Sequence, residues 1–136
     1  MIISVDFDGT CVTHEFPFVG KDIGAVPVLK ELVESGNQLI LFTMRSDTTK
    51  GNFLKDAVSW FNDNGIPLYG IQTNPAQTSW TSSPKAYAEM YIDDAALGCP
   101  LVYPGGVERP YVDWVKVREY LIDRSIIKTN GNSQIS

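Results

Sequence analysis

Residues 1–10 read MIISVDFDGT, and this stretch decides what kind of fold the chain can adopt. Met1 to Val5 is apolar and β-branched, the mark of a buried strand, and Asp8-Gly9 marks the turn that stops it. Aspartate forms strands poorly and is costly to leave beside a core, yet Asp6 and Asp8 close this one. Residues two apart on extended backbone point the same way, so both carboxylates can face one cavity while Phe7 packs on the other side. Gly9 permits a sharp turn, and Thr10 can fix it by hydrogen bonding.

Downstream, strand and helix patterns alternate. A loop over 13–24 leads to VPVLKELVES (26–35), where Val28, Leu29, Leu32 and Val33 fall at helical spacing and Gly36 supplies the stop. QLILFT (38–43) predicts a second buried strand. GNFLKDAVSWFNDNG (51–65) repeats the helical pattern through Phe53, Leu54, Ala57, Val58 and Phe61. A short strand is expected over 68–71, followed by a polar stretch without periodicity, a brief helix in KAYAE (85–89) and a strand in MYID (90–93). Leu101 to Tyr103 reads as a last short strand. YVDWVKVREYLIDR (111–124) reads as a final helix with Val112, Val115, Tyr120 and Leu121 inward, Pro110 at its start and Trp114 docking it to the sheet.

Near-continuous apolar strands alternating with helices imply a parallel sheet covered on both faces. The right-handed crossover rule makes this a three-layer α/β/α, doubly wound, Rossmann-like fold. The 136 residues suit one domain, assigned to 1–124, with a flexible C-terminal tail over 125–136. With 43% hydrophobic and 20% charged residues, the composition is that of a soluble globular protein. The net charge of −5 and the scattered Lys and Arg argue against a nucleic-acid polymer as partner. Two cysteines in unrelated contexts are read as free thiols of a reducing cytoplasm. No apolar run is long enough for a membrane span, and none at the start has the flanks of a signal peptide.

Sheets of this class bind ligands at the carboxyl ends of their strands. Asp6 and Asp8 follow the first strand, Thr43 the second, and Asp93 and Asp94 the fourth. Four carboxylates in one crevice repel strongly unless compensated, and a hard divalent cation with oxygen ligands, most simply Mg²⁺, relieves that repulsion. Such a site suits phosphoryl transfer, which also needs a hydroxyl donor and a cation; Thr43 and Lys85 are the candidates.

The ordered set DFDGT, then Thr43 in LFTMR, then Lys85, then YIDD resembles the four-motif pattern of the haloacid dehalogenase superfamily, over residues 2 to 98. The chain is most similar to the small bacterial and phage members without a large cap domain. The resemblance implies Mg²⁺-dependent phosphatase chemistry. It makes Asp6 the nucleophile that forms an aspartyl-phosphate and Asp8 the acid/base, with Thr43 the phosphoryl-oxygen donor and Lys85 the steadying cation. The metal would be held by the Asp6 carboxylate, the Asp8 backbone carbonyl and the Asp93/Asp94 pair, with Asp94 favoured as direct ligand. A dehalogenase of the superfamily lacks the second aspartate, which disfavours dehalogenation.

Neither the stretch between Thr10 and Thr43 nor that between Thr43 and Lys85 leaves room for a folded cap. Substrate choice is therefore assigned to CVTHEFPFVG (11–20), to NPAQTSWTSS (74–83) or to a neighbouring subunit in a homo-oligomer. His14, Phe16 and Trp80 are candidate leaving-group contacts, and Gly9, Thr10 and Arg45 candidate substrate-binding residues. Arg45 reads equally well as an ion-pair partner of Asp47 or Glu15. The leading expectation is a phosphomonoesterase for a small phosphorylated metabolite or nucleotide. A phosphotransferase of the same mechanism and a non-catalytic, receiver-like module are the alternatives. The second strand ends without the aspartate a receiver would phosphorylate.

Overall fold

The structure, a computed structural model, describes residues 1–106 and 108–129. Four parallel strands form the central sheet: β1 (Ile2–Val5), β2 (Gln38–Leu41), β5 (Gly70–Ile71) and β6 (Met90–Ile92), in the order β5-β2-β1-β6. Two antiparallel hairpins stand apart from it, β3 (Asp47–Thr48) with β4 (Gly51–Asn52) and β7 (Leu101–Val102) with β8 (Tyr111–Val112). The helices are α1 (Ala25–Glu34), α2 (Phe53–Asp63) and α3 (Trp114–Asp123). This is an α/β arrangement consistent with a Rossmann-like fold. No described helix is long and apolar enough to cross a membrane.

The register aligns the strand ends. Val5 lies opposite Leu41 on one side and Ile92 on the other, and Leu41 lies opposite Ile71. The residues just past these strands therefore emerge at one edge: Asp6 and Asp8, Thr43, Gln72, and Asp93 with Asp94. Side-chain alternation then sorts the two faces of β1 and β2. Ile3, Val5, Phe7, Leu39 and Leu41 join one buried cluster to which all three helices contribute, through Leu29, Leu32, Phe61 and Leu121 among others. Phe7 meets Trp60 edge-on at 5.6 Å between ring centroids. Ser4 and Ile40 point the opposite way and are buried outside that cluster. On their side the 72–89 segment packs without an α-helix, burying Ala86 and Ala88.

The first N–H groups of each α-helix are met by an aspartate, which is the N-cap residue itself only in α3. Asp22 accepts from Ala25 N and Val26 N, Asp47 from Leu54 N and Lys55 N, and Asp113 from Val115 N and Lys116 N. These carboxylates satisfy orphan N–H groups and complement the helix dipole.

Several expectations change. KAYAE is not a helix; Gln77 takes up the carbonyls of Ser83 and Lys85 instead, and only a 3₁₀ turn (Gln77–Ser79) forms in that region. Pro110 does not start α3, because Tyr111 and Val112 pair with β7 and Asp113 is the cap. On α3, Trp114, Val117 and Leu121 face inward, whereas Val115 and Tyr120 are exposed. The tail assigned from 125 is docked at its start: Ile127 is buried, Ile126 O accepts from Asn37 Nδ2, and Lys128 N donates to Ser35 Oγ. Its remainder, 130–136, lies outside the described residues. Cys11 and Cys99 are free thiols.

Candidate functional site

Asp6, Asp93 and Asp94 each bring a carboxylate oxygen into one group whose members lie within 4.8 Å of one another. The sheet creates this proximity, since Asp6 N donates to Ile92 O at 3.0 Å and so continues the β1–β6 ladder one residue past its named end. Desolvation is the main cause that pushes the Asp6 carboxyl from its ordinary 3.8 up to about 7, with the Asp93 and Asp94 charges adding to it. A backbone hydrogen bond from Phe7 pulls the other way. The triad is a cluster that could hold a metal ion.

Thr10 knits the cluster together. Its buried hydroxyl lies 3.0 Å from Asp94 Oδ1 and 3.4 Å from Asp6 Oδ2, and it accepts from Asp94 N at 3.1 Å. Sequence reasoning assigned Thr10 to the turn and to substrate; the structure gives it to the carboxylates. Trp114 Nε1 donates to Thr10 O at 2.7 Å, so the indole holds the loop after β1 as well as burying α3. His14 Nε2 stands 3.1 Å from Asp94 Oδ2, close enough to pair electrostatically but out of line for a hydrogen bond. Gly9, at φ +78°, is required here, because a Cβ would stand 2.1 Å from His14 Nε2 and 2.7 Å from Asp94 Oδ2.

Asp8 and Arg45 form a bidentate pair. Arg45 Nε donates to Asp8 Oδ2 and an Nη to Oδ1, both at 2.8 Å. The same guanidinium donates to Phe18 O and Phe53 O and lies 5.0 Å from the Phe7 ring centroid and 5.1 Å from that of Phe16. At 2% exposure, Arg45 is buried, with its guanidinium turned to Asp8 and to the two carbonyls. Its partner is Asp8, not Asp47 or Glu15. The sequence signal was present but ambiguous, since several acids stood within plausible reach.

Thr43 lies just past β2, where its hydroxyl accepts from Arg45 N at 3.1 Å and so keeps its own hydrogen for another acceptor. Gln72 fixes that stretch. It turns away from the sheet at φ +64°, and its side-chain amide continues the ladder: Oε1 accepts from Thr43 N at 2.8 Å, and Nε2 donates to Thr43 O at 2.6 Å and Arg45 O at 3.1 Å. Lys85 and Asp6 line a common cavity of about 280 Å³ with Ser4, Phe42, Tyr91 and Asp93. Lys85 Nζ sits 5.2 Å from the Tyr91 ring centroid. Phe16 packs edge-on against Phe53, and exposed Trp80 against Tyr87. Gln72 and Gln77 were missed by sequence reasoning, which read their surroundings as a polar stretch.

No family model matches the chain, and no curated protein matches it. Among solved structures it is similar to a conserved protein from Bacteroides thetaiotaomicron, with 32% identity, a TM-score of 0.71, and coverage of 95% of this chain and 93% of that one. Sequence identity at this level, carried over nearly the whole of both chains on one backbone, shows that the protein belongs to the same family as that conserved Bacteroides protein.

Proposed function

We propose that the protein is a phosphomonoester hydrolase of the haloacid dehalogenase type, acting on a small phosphorylated compound through an aspartyl-phosphate on Asp6. The observation that carries the reading is the shared cavity: Asp6 opens into it beside Lys85 and Asp93, with Asp94 in the same acidic group. In this reading the sheet is the doubly wound, three-layer kind, and the 72–89 segment stands where a helix would form the third layer.

The donor set suits a hard divalent cation such as Mg²⁺, because every side-chain ligand is a carboxylate oxygen and burial, with the neighbouring Asp93 and Asp94 charges adding to it, otherwise holds a proton on Asp6 near neutrality. Asp6, Asp93, Asp94 and the Asp8 carbonyl would hold it, and when bound it supplies charge neutralisation for a phosphoryl group. Asp94 has both oxygens beside Thr10 and His14, whereas Asp93 uses Oδ1 for Ala95 N and keeps Oδ2 for a ligand.

In the proposed reaction an Asp6 oxygen forms a bond to phosphorus as the ester P–O bond breaks, and the leaving oxygen takes a proton from Asp8. A water then gives its proton to Asp8 and its oxygen to phosphorus, releasing phosphate and freeing Asp6. Thr43 donates its hydroxyl hydrogen to a phosphoryl oxygen, and Lys85 balances the charge on Asp6 and the intermediate. Asp8 can play its part only after the Arg45 fork opens and a proton from solvent reaches its carboxylate, since both of its oxygens accept from the guanidinium at rest.

Turnover of p-nitrophenyl phosphate by the purified protein is the test. Asp6→Asn should lower kcat by at least ~10³-fold with the fold retained. EDTA should abolish activity and Mg²⁺ restore it. Beryllofluoride should form its adduct on Asp6; an adduct on another residue, or turnover that survives Asp6→Asn, removes the reading.

A further inference from the structure

Lys85 sits on backbone that is neither helix nor strand, and its side chain is exposed. A cation held that loosely cannot neutralise a specific carboxylate, because a flexible four-carbon stem samples many rotamers. What limits it here is the backbone beneath it. Gln77, 6% exposed, places its side-chain amide inside the loop: Nε2 donates to Lys85 O at 3.0 Å and Ser83 O at 3.2 Å, and Oε1 accepts from Tyr87 N at 2.7 Å. One amide thus ties down residues 83, 85 and 87. Tyr91 adds a second tie, its hydroxyl donating to Ala86 O at 2.7 Å, while its ring lies beneath the Lys85 ammonium. Gln77's own backbone is engaged as well, since its carbonyl accepts from Trp80 N and Thr81 N.

We propose that Gln77 is a positioning residue for the reaction: it sets the backbone of residues 83–87 so that Lys85 is held over Tyr91 and into the cavity it shares with Asp6. The kinetic part of this proposal rests on the phosphatase reading; the structural part does not. Gln77 reproduces with a side chain the reciprocal donor-and-acceptor pairing that a neighbouring strand would give, as Gln72 does for Thr43. Thr43 and Lys85 are both held this way.

Gln77→Met keeps the length and removes every side-chain hydrogen bond while leaving the backbone ones in place. The expected result is a folded protein whose kcat for p-nitrophenyl phosphate falls by about 10²-fold with KM little changed, the scale for displacing a reacting group by about an ångström. In the wild-type protein the Tyr91 ring should shift the Lys85 ε-methylene protons upfield, an assignment checked by their loss in Lys85→Met, and in Gln77→Met they should move to the position of a free lysine. An unchanged ring-current shift overturns the proposal, and so does a lost shift with kcat unaltered. If the shift is lost but the wild-type protein turns over no phosphate ester, the positioning stands and the phosphatase reading falls. Should Gln77→Met not fold, Gln77→Glu decides. It keeps the acceptor for Tyr87 N and regains a donor only when protonated. Its kcat relative to wild type should rise as the pH is lowered, and a ratio flat with pH overturns the proposal.

Discussion

The carboxyl edge of the sheet has two halves built on different principles. On the β1–β6 side the converging acids sit directly past the ends of paired strands, and the ladder itself brings Asp6 to Asp93 and Asp94. On the β2–β5 side and in the segment beyond it, Thr43 and Lys85 sit on irregular backbone, and side-chain amides supply the pairing that strands no longer provide. The first half places its groups rigidly and accepts charge repulsion as the consequence. The second avoids repulsion and is held by single side-chain amides. Arg45 joins the two, reaching from the end of β2 to Asp8 beyond β1.

The joint is where the largest effect should appear. Arg45→Met leaves Asp8 without its cation, and the carbonyls of Phe18 in the loop and Phe53 at the start of α2 without this donor. Breaking one side of a buried ion pair costs about 3–5 kcal/mol. Urea denaturation should read a loss of that size, and a loss below about 1 kcal/mol would mean that the two halves are not coupled through this residue.

The acidic half should also be the pH-sensitive one. The Asp6 carboxyl titrates near 3.8 when unfolded and near 7 in the metal-free fold. The folded state then holds the proton more tightly, so this group's contribution is fully present below about pH 4 and is lost as the pH rises through 7. The metal-free protein should therefore show a falling denaturation midpoint from pH 5 to 8. Asp6→Asn should flatten that fall and be the more stable protein at pH 8, where relief of charge repulsion comes at the expense of activity. A wild-type midpoint that rises across this range would contradict the geometry of the triad.

Much of the first half was legible in the sequence. DFDGT and YIDD announce carboxylates after buried strands, and alternation along β1 assigns Asp6 and Phe7 to opposite sides. The second half was not legible. Gln72 and Gln77 lie in a polar stretch with no period, and nothing local reveals that their amides bond to chain 29 and 10 residues away. KAYAE has helical propensity in isolation, but the Gln77 bonds satisfy its backbone without a helix, a tertiary effect that propensity does not contain. Arg45 and Thr10 were recognised as site residues with the wrong partners, because long-range pairing decides which of several acids a cation or hydroxyl meets. The α3 boundary failed for a simpler reason: Tyr111 and Val112 suit either a helix or a strand, and pairing with β7 chose the strand.

A smaller effect separates the halves by what fills a lost bond. Thr10→Val is nearly isosteric and removes the buried hydroxyl shared by Asp94 and Asp6, leaving the partly buried Asp94 N without its acceptor. That should cost about 1–3 kcal/mol in denaturation and weaken Mg²⁺ binding measured by calorimetry.

Gln72→Met makes the matching cut on the other side and should cost less. It removes three hydrogen bonds, to Thr43 N, Thr43 O and Arg45 O. Gln72 is only half-buried, however, so water can reach the freed groups and the net loss should be about 1 kcal/mol. What water cannot restore is the single geometry that one amide imposes on Thr43 from both sides. Hydrogen exchange should accordingly accelerate at Thr43 while the amides of β1 stay protected, since a ladder of strands does not depend on any one side chain. If Gln72→Met instead loosened β1 and β2 together, the two halves would form one cooperative unit, and the division between ladder-built and amide-built groups would have no energetic meaning.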